Sequence, residues 1–197
     1  MNAQTQLKRS TSAAAPQTNT HYVRQGELKV LLGEEDWIGT LLGSCVALCL
    51  RDPITGIGGL NHFLLPSSDN SGDEASARYG GYAIELLINT MMRGRADRRR
   101  MEGKIFGGSK LFNTDRVGIG EQNIAFVREF CELEEIPIVK SDVGGPVARK
   151  ILFQPKTGRA RVLRLSGEIQ QSLGKRDQAY DQSLSRSTSA AGSAELF

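Results

Sequence analysis

Residues 42–66 read Leu42-Gly43-Ser44-Cys45-Val46-Ala47-Leu48-Cys49-Leu50, then Arg51-Asp52-Pro53-Ile54-Thr55-Gly56, then Ile57-Gly58-Gly59-Leu60-Asn61-His62-Phe63-Leu64-Leu65, and stop at Pro66. Two apolar runs flank a segment of turn chemistry. Proline fixes φ, aspartate bonds its own backbone, and glycine tolerates positive φ. The stretch therefore predicts a β-hairpin. If Arg51 and Gly56 close it, facing residues have numbers summing to 107, as Cys45 and His62 do. Directly opposed residues have Cβ atoms roughly 4.5–5.5 Å apart, close enough for a thiol–imidazole contact. A slip of one residue would send the two side chains to opposite faces.

Working outward, strands are expected at Glu27 to Leu32, Ile38 to Leu42, Cys45 to Leu50 and Ile57 to Leu65. A polar loop is expected over Asp69 to Ser76, followed by a helix with Tyr79, Tyr82, Ala83, Leu86, Leu87, Thr90 and Met91 at helical spacing. Lys104 to Phe106 reads as a short strand running into Gly107-Gly108. A second helix fits Gln122 to Glu134, with Ile124, Val127, Phe130 and Cys131 on its apolar side. Ile136 to Val139, Lys150 to Phe153 and Ala160 to Leu165 read as strands, the last two joined by the turn Pro155-Lys156-Thr157-Gly158. Strands and two helices in this order predict the α/β (α+β) class, a single-domain layered sandwich of mixed β-sheet and helices.

With 197 residues and 39% hydrophobic content, the chain can bury one ordinary core. Residues 1–20 and 171–197 are poor in large apolar residues and rich in Ser, Ala and Gln, so both are expected to be disordered tails around a domain at 21–170. A net charge of +3 gives no argument for nucleic acid. No run approaches the ~18 apolar residues of a membrane span, so no membrane insertion is expected. The polar N-terminus lacks the apolar core of a signal peptide. Three cysteines without metal-ligand spacing give neither a disulfide framework nor a metal site. A reducing, cytoplasmic location and no cofactor are the expectation, and both suit a free thiol.

Cys45 follows Gly43 and Ser44, which permit a tight backbone approach and can aim amides at a developing oxyanion. A neighbouring imidazole would make its thiol a nucleophile. His62 interrupts an otherwise apolar strand, and the only other histidine, His21, lies at the edge of the N-terminal tail. A core cysteine and a core histidine remain the plain alternatives. Cys49 and Cys131 read as core. Gly107-Gly108-Ser109-Lys110 lacks the spacing of a phosphate loop, so its glycines are read as packing or as an active-site wall. Arg93, Arg95, Arg98, Arg99, Arg100 and Lys104 form a basic cluster, either solvated or meeting an acidic partner.

The chain resembles the CheD family of bacterial chemoreceptor glutamine deamidases. The likeness is carried by Leu42-Gly43-Ser44-Cys45-Val46, Arg51-Asp52-Pro53, Gly58 to Pro66, Arg78-Tyr79-Gly80, Ala83 to Asn89, Phe106-Gly107-Gly108, Asn123 to Val127 and Asp142-Val143-Gly144-Gly145, in order across residues 25–165. The resemblance implies a sandwich similar to the catalytic domain of the cytotoxic-necrotizing-factor toxins. It also implies hydrolysis of glutamine side chains to glutamate on methyl-accepting chemotaxis receptors. It maps the nucleophile onto Cys45, the base onto His62 and an orienting threonine onto Thr40, with Gly43 and Ser44 at the oxyanion, and it implies a CheC-type phosphatase as a further partner. Two other readings compete. The Cys-His pair can serve an amidase, peptidase or transglutaminase with another substrate, or the domain can be a binding module that regulates the chemotaxis machinery.

Overall fold

The computed structural model describes residues 18–65, 68–111, 118–173 and 175, with side chains described from residue 79 onward in the first helix. Among the described residues, nine strands form two sheets. One has the order β1 (Thr20–Tyr22), β3 (Trp37–Leu42), β8 (Arg149–Gln154), β9 (Arg159–Arg164). The other has the order β2 (Leu28–Leu32), β5 (Ile57–Phe63), β4 (Val46–Arg51), β6 (Glu102–Gly107), β7 (Ile138–Val143). Helices α1 (Ser68–Arg93) and α2 (Ile119–Leu133) pack against the five-stranded sheet. The result is three layers, sheet on sheet on helices, within the mixed α/β class.

Strand β4 is apolar from Val46 to Leu50 because both its faces are covered there. Val46, Leu48 and Leu50 face the helices with Ile84, Leu87, Ile88 and Met91 of α1. Ala47 and Cys49 face the four-stranded sheet with Ile38, Leu42, Ile151 and Phe153. Each such aliphatic side chain contributes about 1.5–3 kcal/mol on burial.

The hairpin forms, in a register two residues from the expected one. Ala47 pairs with His62, and Arg51 pairs with Gly58. The loop is the four residues 53–56, because Ile57 rather than Gly56 closes it, its carbonyl accepting at 2.8 Å from the N–H of Asp52. The buried Asp52 carboxylate accepts from Arg100 and from the N–H groups of Asp97 and Ile54, while Gly56 adopts φ +72° inside the turn. A slip of two keeps every side chain on its face, so Cys45 and His62 still share one. They are diagonal rather than directly opposed, and Cys49 faces Leu60 rather than Gly58.

Other expectations are also corrected. Helix α1 begins at Ser68, so Asp69 to Ser76 is helical rather than a loop. Glu74, Ala75, Ala77 and Arg78 favour helix, and extending an existing helix costs little. Its buried stripe is the aliphatic Ile84, Leu87, Ile88 and Met91, leaving Tyr79 and Tyr82 exposed, since phenol oxygens stay wetted at a rim. The strand expected at Ile136 to Val139 runs over Ile138–Val143, and Thr20–Tyr22 adds an edge strand at the expected tail boundary. At the other end residues 168–173 are helical, and Leu173 is buried near Ala148 and Leu165. Residues 1–17 and 176–197 of the expected tails lie outside the described residues.

The basic cluster is internally neutralised at its centre. Arg98 bridges Glu85 of α1 and Glu134 at the end of α2, Arg99 pairs with Asp97, and Arg100 pairs with Asp52 and Asp97. These arginines fasten the helices and the hairpin turn to one another.

Candidate active site

Strand β3 of one sheet carries Thr40, and β5 of the other carries His62. Both are buried between the sheets. The Thr40 hydroxyl donates to the Val23 carbonyl at 2.8 Å and lies 2.8 Å from His62 Nδ1. A hydroxyl has a single proton to give. With that proton on Val23, the Thr40 oxygen is the acceptor and His62 Nδ1 carries the hydrogen. The neutral imidazole then keeps its lone pair on Nε2. The family resemblance put an orienting threonine at Thr40, and in the structure its hydroxyl sets which ring nitrogen is basic.

Cys45 lies immediately before β4, at the end of the short link Gly43-Ser44 that crosses from one sheet to the other. Its side chain faces the same inter-sheet layer as Ala47, Cys49 and Leu60. Diagonal neighbours across an antiparallel pair are roughly 7–8 Å apart at Cα, within reach of a thiol and an imidazole leaning together. The link is held from behind. Ser109 N–H donates to the Gly43 carbonyl at 2.8 Å, Gly108 N–H to the Cys45 carbonyl at 2.7 Å, and Asn123 Nδ2 to the Ser44 carbonyl at 3.5 Å. Gly107 makes this possible: it sits at φ +103°, and a Cβ there would fall 2.2 Å from the Cys45 carbonyl oxygen. The glycine pair after β6 thus packs directly behind the cysteine loop.

The other thiols are poor nucleophiles. Burial pushes the Cys49 thiol far above its ordinary range, against a smaller opposing pull from Lys104, and burial pushes Cys131 up to about 12. Neither offers a thiolate near neutral pH.

Three polar side chains at the site escaped the sequence reading. Asn123, fully buried, accepts from Leu65 N–H at 2.8 Å and donates to the Ile119 and Ser44 carbonyls, joining α2 to both ends of the hairpin. Its position on the buried side of α2 with Val127 and Cys131 was the available signal, because a buried amide needs partners. Asn61 accepts from Leu48 N–H and donates to the Ala83 carbonyl, tying α1 to the sheet. Gln25 places its carboxamide oxygen 3.5 Å from Cys45 Sγ, and no pattern in the sequence marks it. On the helix side of β5, a small cleft is lined by Glu27, Leu28, Phe63, Tyr79, Tyr82 and Leu86.

A family model described as CheD chemotactic sensory transduction matches residues 64–164. The chain is 50% identical over 149 residues to a probable chemoreceptor glutamine deamidase CheD of Rhizobium leguminosarum bv. trifolii (strain WSM2304), covering 74% of this chain and 80% of that one. A protein of the same description from Caulobacter sp. (strain K31) is 51% identical over 141 residues, covering 71% and 74%. One from Janthinobacterium sp. (strain Marseille) is 39% identical over 193 residues, covering 91% and 95%. Among solved structures, a Neisseria meningitidis protein of family DUF152 aligns with a TM-score of 0.44 at 12% identity over 76% of each chain, too distant to bear on the fold.

Proposed function

Because the chain belongs to the CheD family, we propose that Cys45, His62 and Thr40 carry the glutamine deamidation of that family. The protein is a chemoreceptor glutamine deamidase, a hydrolase of side-chain amide bonds that converts glutamine to glutamate. The observation that carries the residue assignment is the hydrogen-bonded series from Val23 through Thr40 to His62. It leaves Nε2 as the base on the face shared with Cys45.

Nε2 takes the thiol proton, and the Cys45 sulfur attacks the carboxamide carbon. Backbone amides around Ser44 and Cys45 hold the resulting oxyanion, with Gly43 allowing the chain to bend there. As the C–N bond breaks, the imidazolium returns the proton to nitrogen and ammonia leaves a thioester. His62 then takes a proton from water, hydroxide adds to the thioester carbon, and as the C–S bond breaks the imidazolium returns that proton to sulfur, giving glutamate and the free thiol. Thr40 accepts from Nδ1–H throughout and so steadies the imidazolium. No step calls on a metal or organic cofactor.

The test is intact and peptide mass spectrometry of a chemoreceptor cytoplasmic fragment incubated with wild-type or Cys45→Ala protein. Each replacement of NH by O through the acyl-enzyme adds about one dalton. Gains on particular glutamines with wild type alone support the assignment. Gains with Cys45→Ala would overturn it.

Finer parts of the reading belong to the same proposal. The active-site layer would superpose on the cytotoxic-necrotizing-factor catalytic domain. A CheC-type phosphatase would bind as a second partner, which co-purification tests. Receptor cytoplasmic domains as substrate call for a cytoplasmic enzyme. Among the described residues no helix is long and apolar enough to cross a membrane.

A further inference from the structure

The segment Arg24-Gln25-Gly26-Glu27 is a tight turn. Glu27 N–H donates to the Arg24 carbonyl at 3.0 Å, and Gly26 adopts φ +84°, the geometry that favours glycine at the third turn position. Gln25 therefore stands at the second position. The turn is fastened to the site on both sides. Gly26 N–H donates to the His62 carbonyl at 2.7 Å, and His62 N–H donates to the Glu27 carbonyl at 3.0 Å. One residue before the turn, the Val23 carbonyl takes the Thr40 hydroxyl. The main chain of His62 and the side chain of Thr40 thus hold Gln25 over the reaction centre. Its Oε1 accepts the Cys45 S–H at 3.5 Å.

That contact suits the resting thiol and not the working one. Once His62 has taken the proton, a carbonyl oxygen facing a sulfur anion is repulsive. The terminal torsion of glutamine is broad and roughly two-fold, so half a turn replaces Oε1 by the Nε2–H donor. A donor facing an anion makes a charge-assisted hydrogen bond. When sulfur adds to the carboxamide carbon, the oxyanion is two bonds from sulfur and lies within reach of the same N–H.

We infer that Gln25 is a further catalytic residue, whose side-chain amide donates first to the Cys45 thiolate and then to the oxyanion. The inference rests on the reading of Cys45 as nucleophile, and its test reads the thiol with and without receptor.

Gln25→Ala and Gln25→Glu are compared with wild type in the full chain. Glutamate keeps the shape but offers only acceptors and a negative charge. Loss of one oxyanion donor predicts a fall in kcat of roughly 10²-fold with little change in KM and an unchanged melting temperature. In the absence of receptor, the pH profile of Cys45 alkylation by iodoacetamide shifts upward, further in Gln25→Glu than in Gln25→Ala, because a neighbouring anion opposes thiolate formation. Cys45→Ala supplies the blank for the other thiols.

Wild-type kcat in Gln25→Ala would overturn the inference. Faster alkylation with a lower KM would overturn it as well, by making Gln25 an occupant that substrate displaces. So would a one-dalton gain on the peptide carrying Gln25 in wild type, which would make it a substrate. If no receptor glutamine changes even with wild type, the deamidase reading fails, and the alkylation profile still decides the effect of Gln25 on Cys45.

Discussion

Replacing Thr40 with valine keeps the β-branched shape that strand β3 favours and removes only the hydroxyl. Two interactions go with it: the acceptor for His62 Nδ1–H and the donor to the Val23 carbonyl. On the proposed mechanism the first is catalytic. Thr40 accepts from an imidazolium while the proton is on His62, and hydrogen bonds to charged groups contribute about 1.5–3 kcal/mol, or roughly 10- to 150-fold in rate. The second is structural. A buried carbonyl left without its partner costs about 1–3 kcal/mol, a fall in melting temperature of roughly 2–12 °C at this chain length. The assay is ammonia release from a receptor cytoplasmic fragment at 20 °C, with the folded fraction checked by circular dichroism. Thr40→Ser restores the hydroxyl and should recover rate to within several-fold, at about 1 kcal/mol for the missing methyl. Wild-type kcat in Thr40→Val, or equal losses in the valine and serine variants, would refute the tautomer argument.

Cys45→Ala should abolish turnover at an unchanged melting temperature, whereas Cys49→Ala and Cys131→Ala should keep their kcat, as paired ammonia-release and thermal-melt measurements will show. Gly107→Ala should lower kcat at least tenfold by displacing the Cys45 carbonyl, and single-turnover kinetics will separate that from a change in receptor affinity. Arg100 holds the Asp52 carboxyl well below the usual carboxylate range, helped by the N–H groups of Asp97 and Ile54. That contribution is whole above the unfolded-state pKa of about 3.9 and fades as pH falls through the lower folded-state value. Asp52→Asn should therefore cost about 2 kcal/mol at pH 7, less than a fully buried pair because Arg100 is partly exposed. Its urea-derived stability should fall less than that of wild type on acidification below pH 4.

How much of this was legible in the sequence differs from element to element. The hairpin was, because two apolar runs around Asp52-Pro53 admit few other arrangements, and the shared face of Cys45 and His62 survived a two-residue error. The register itself was hidden. It turns on whether Gly56 closes the turn or stands inside it at φ +72° with Ile57 closing against Asp52, and the same turn residues fit both. The face of α1 was misread because tyrosines match the helical period as well as aliphatics do, and only tertiary packing tells a rim from a core. Thr40 was placed by family likeness, while its bonds to Val23 and His62 join residues 17 and 22 positions away. Gln25 left no trace at all, because a polar residue in a turn is the most ordinary reading of such a segment.

The bond from Thr40 to His62 spans the two sheets, and the cysteine sits on the three-residue crossing between them. No fragment containing one sheet alone holds a base of defined tautomer. Sliding or parting of the sheets by the length of one hydrogen bond would silence the chemistry while each sheet kept its own ladder. On the proposed mechanism, turnover is a gauge of the seam between the sheets, and a molecule that loosens there falls silent before its strands come apart.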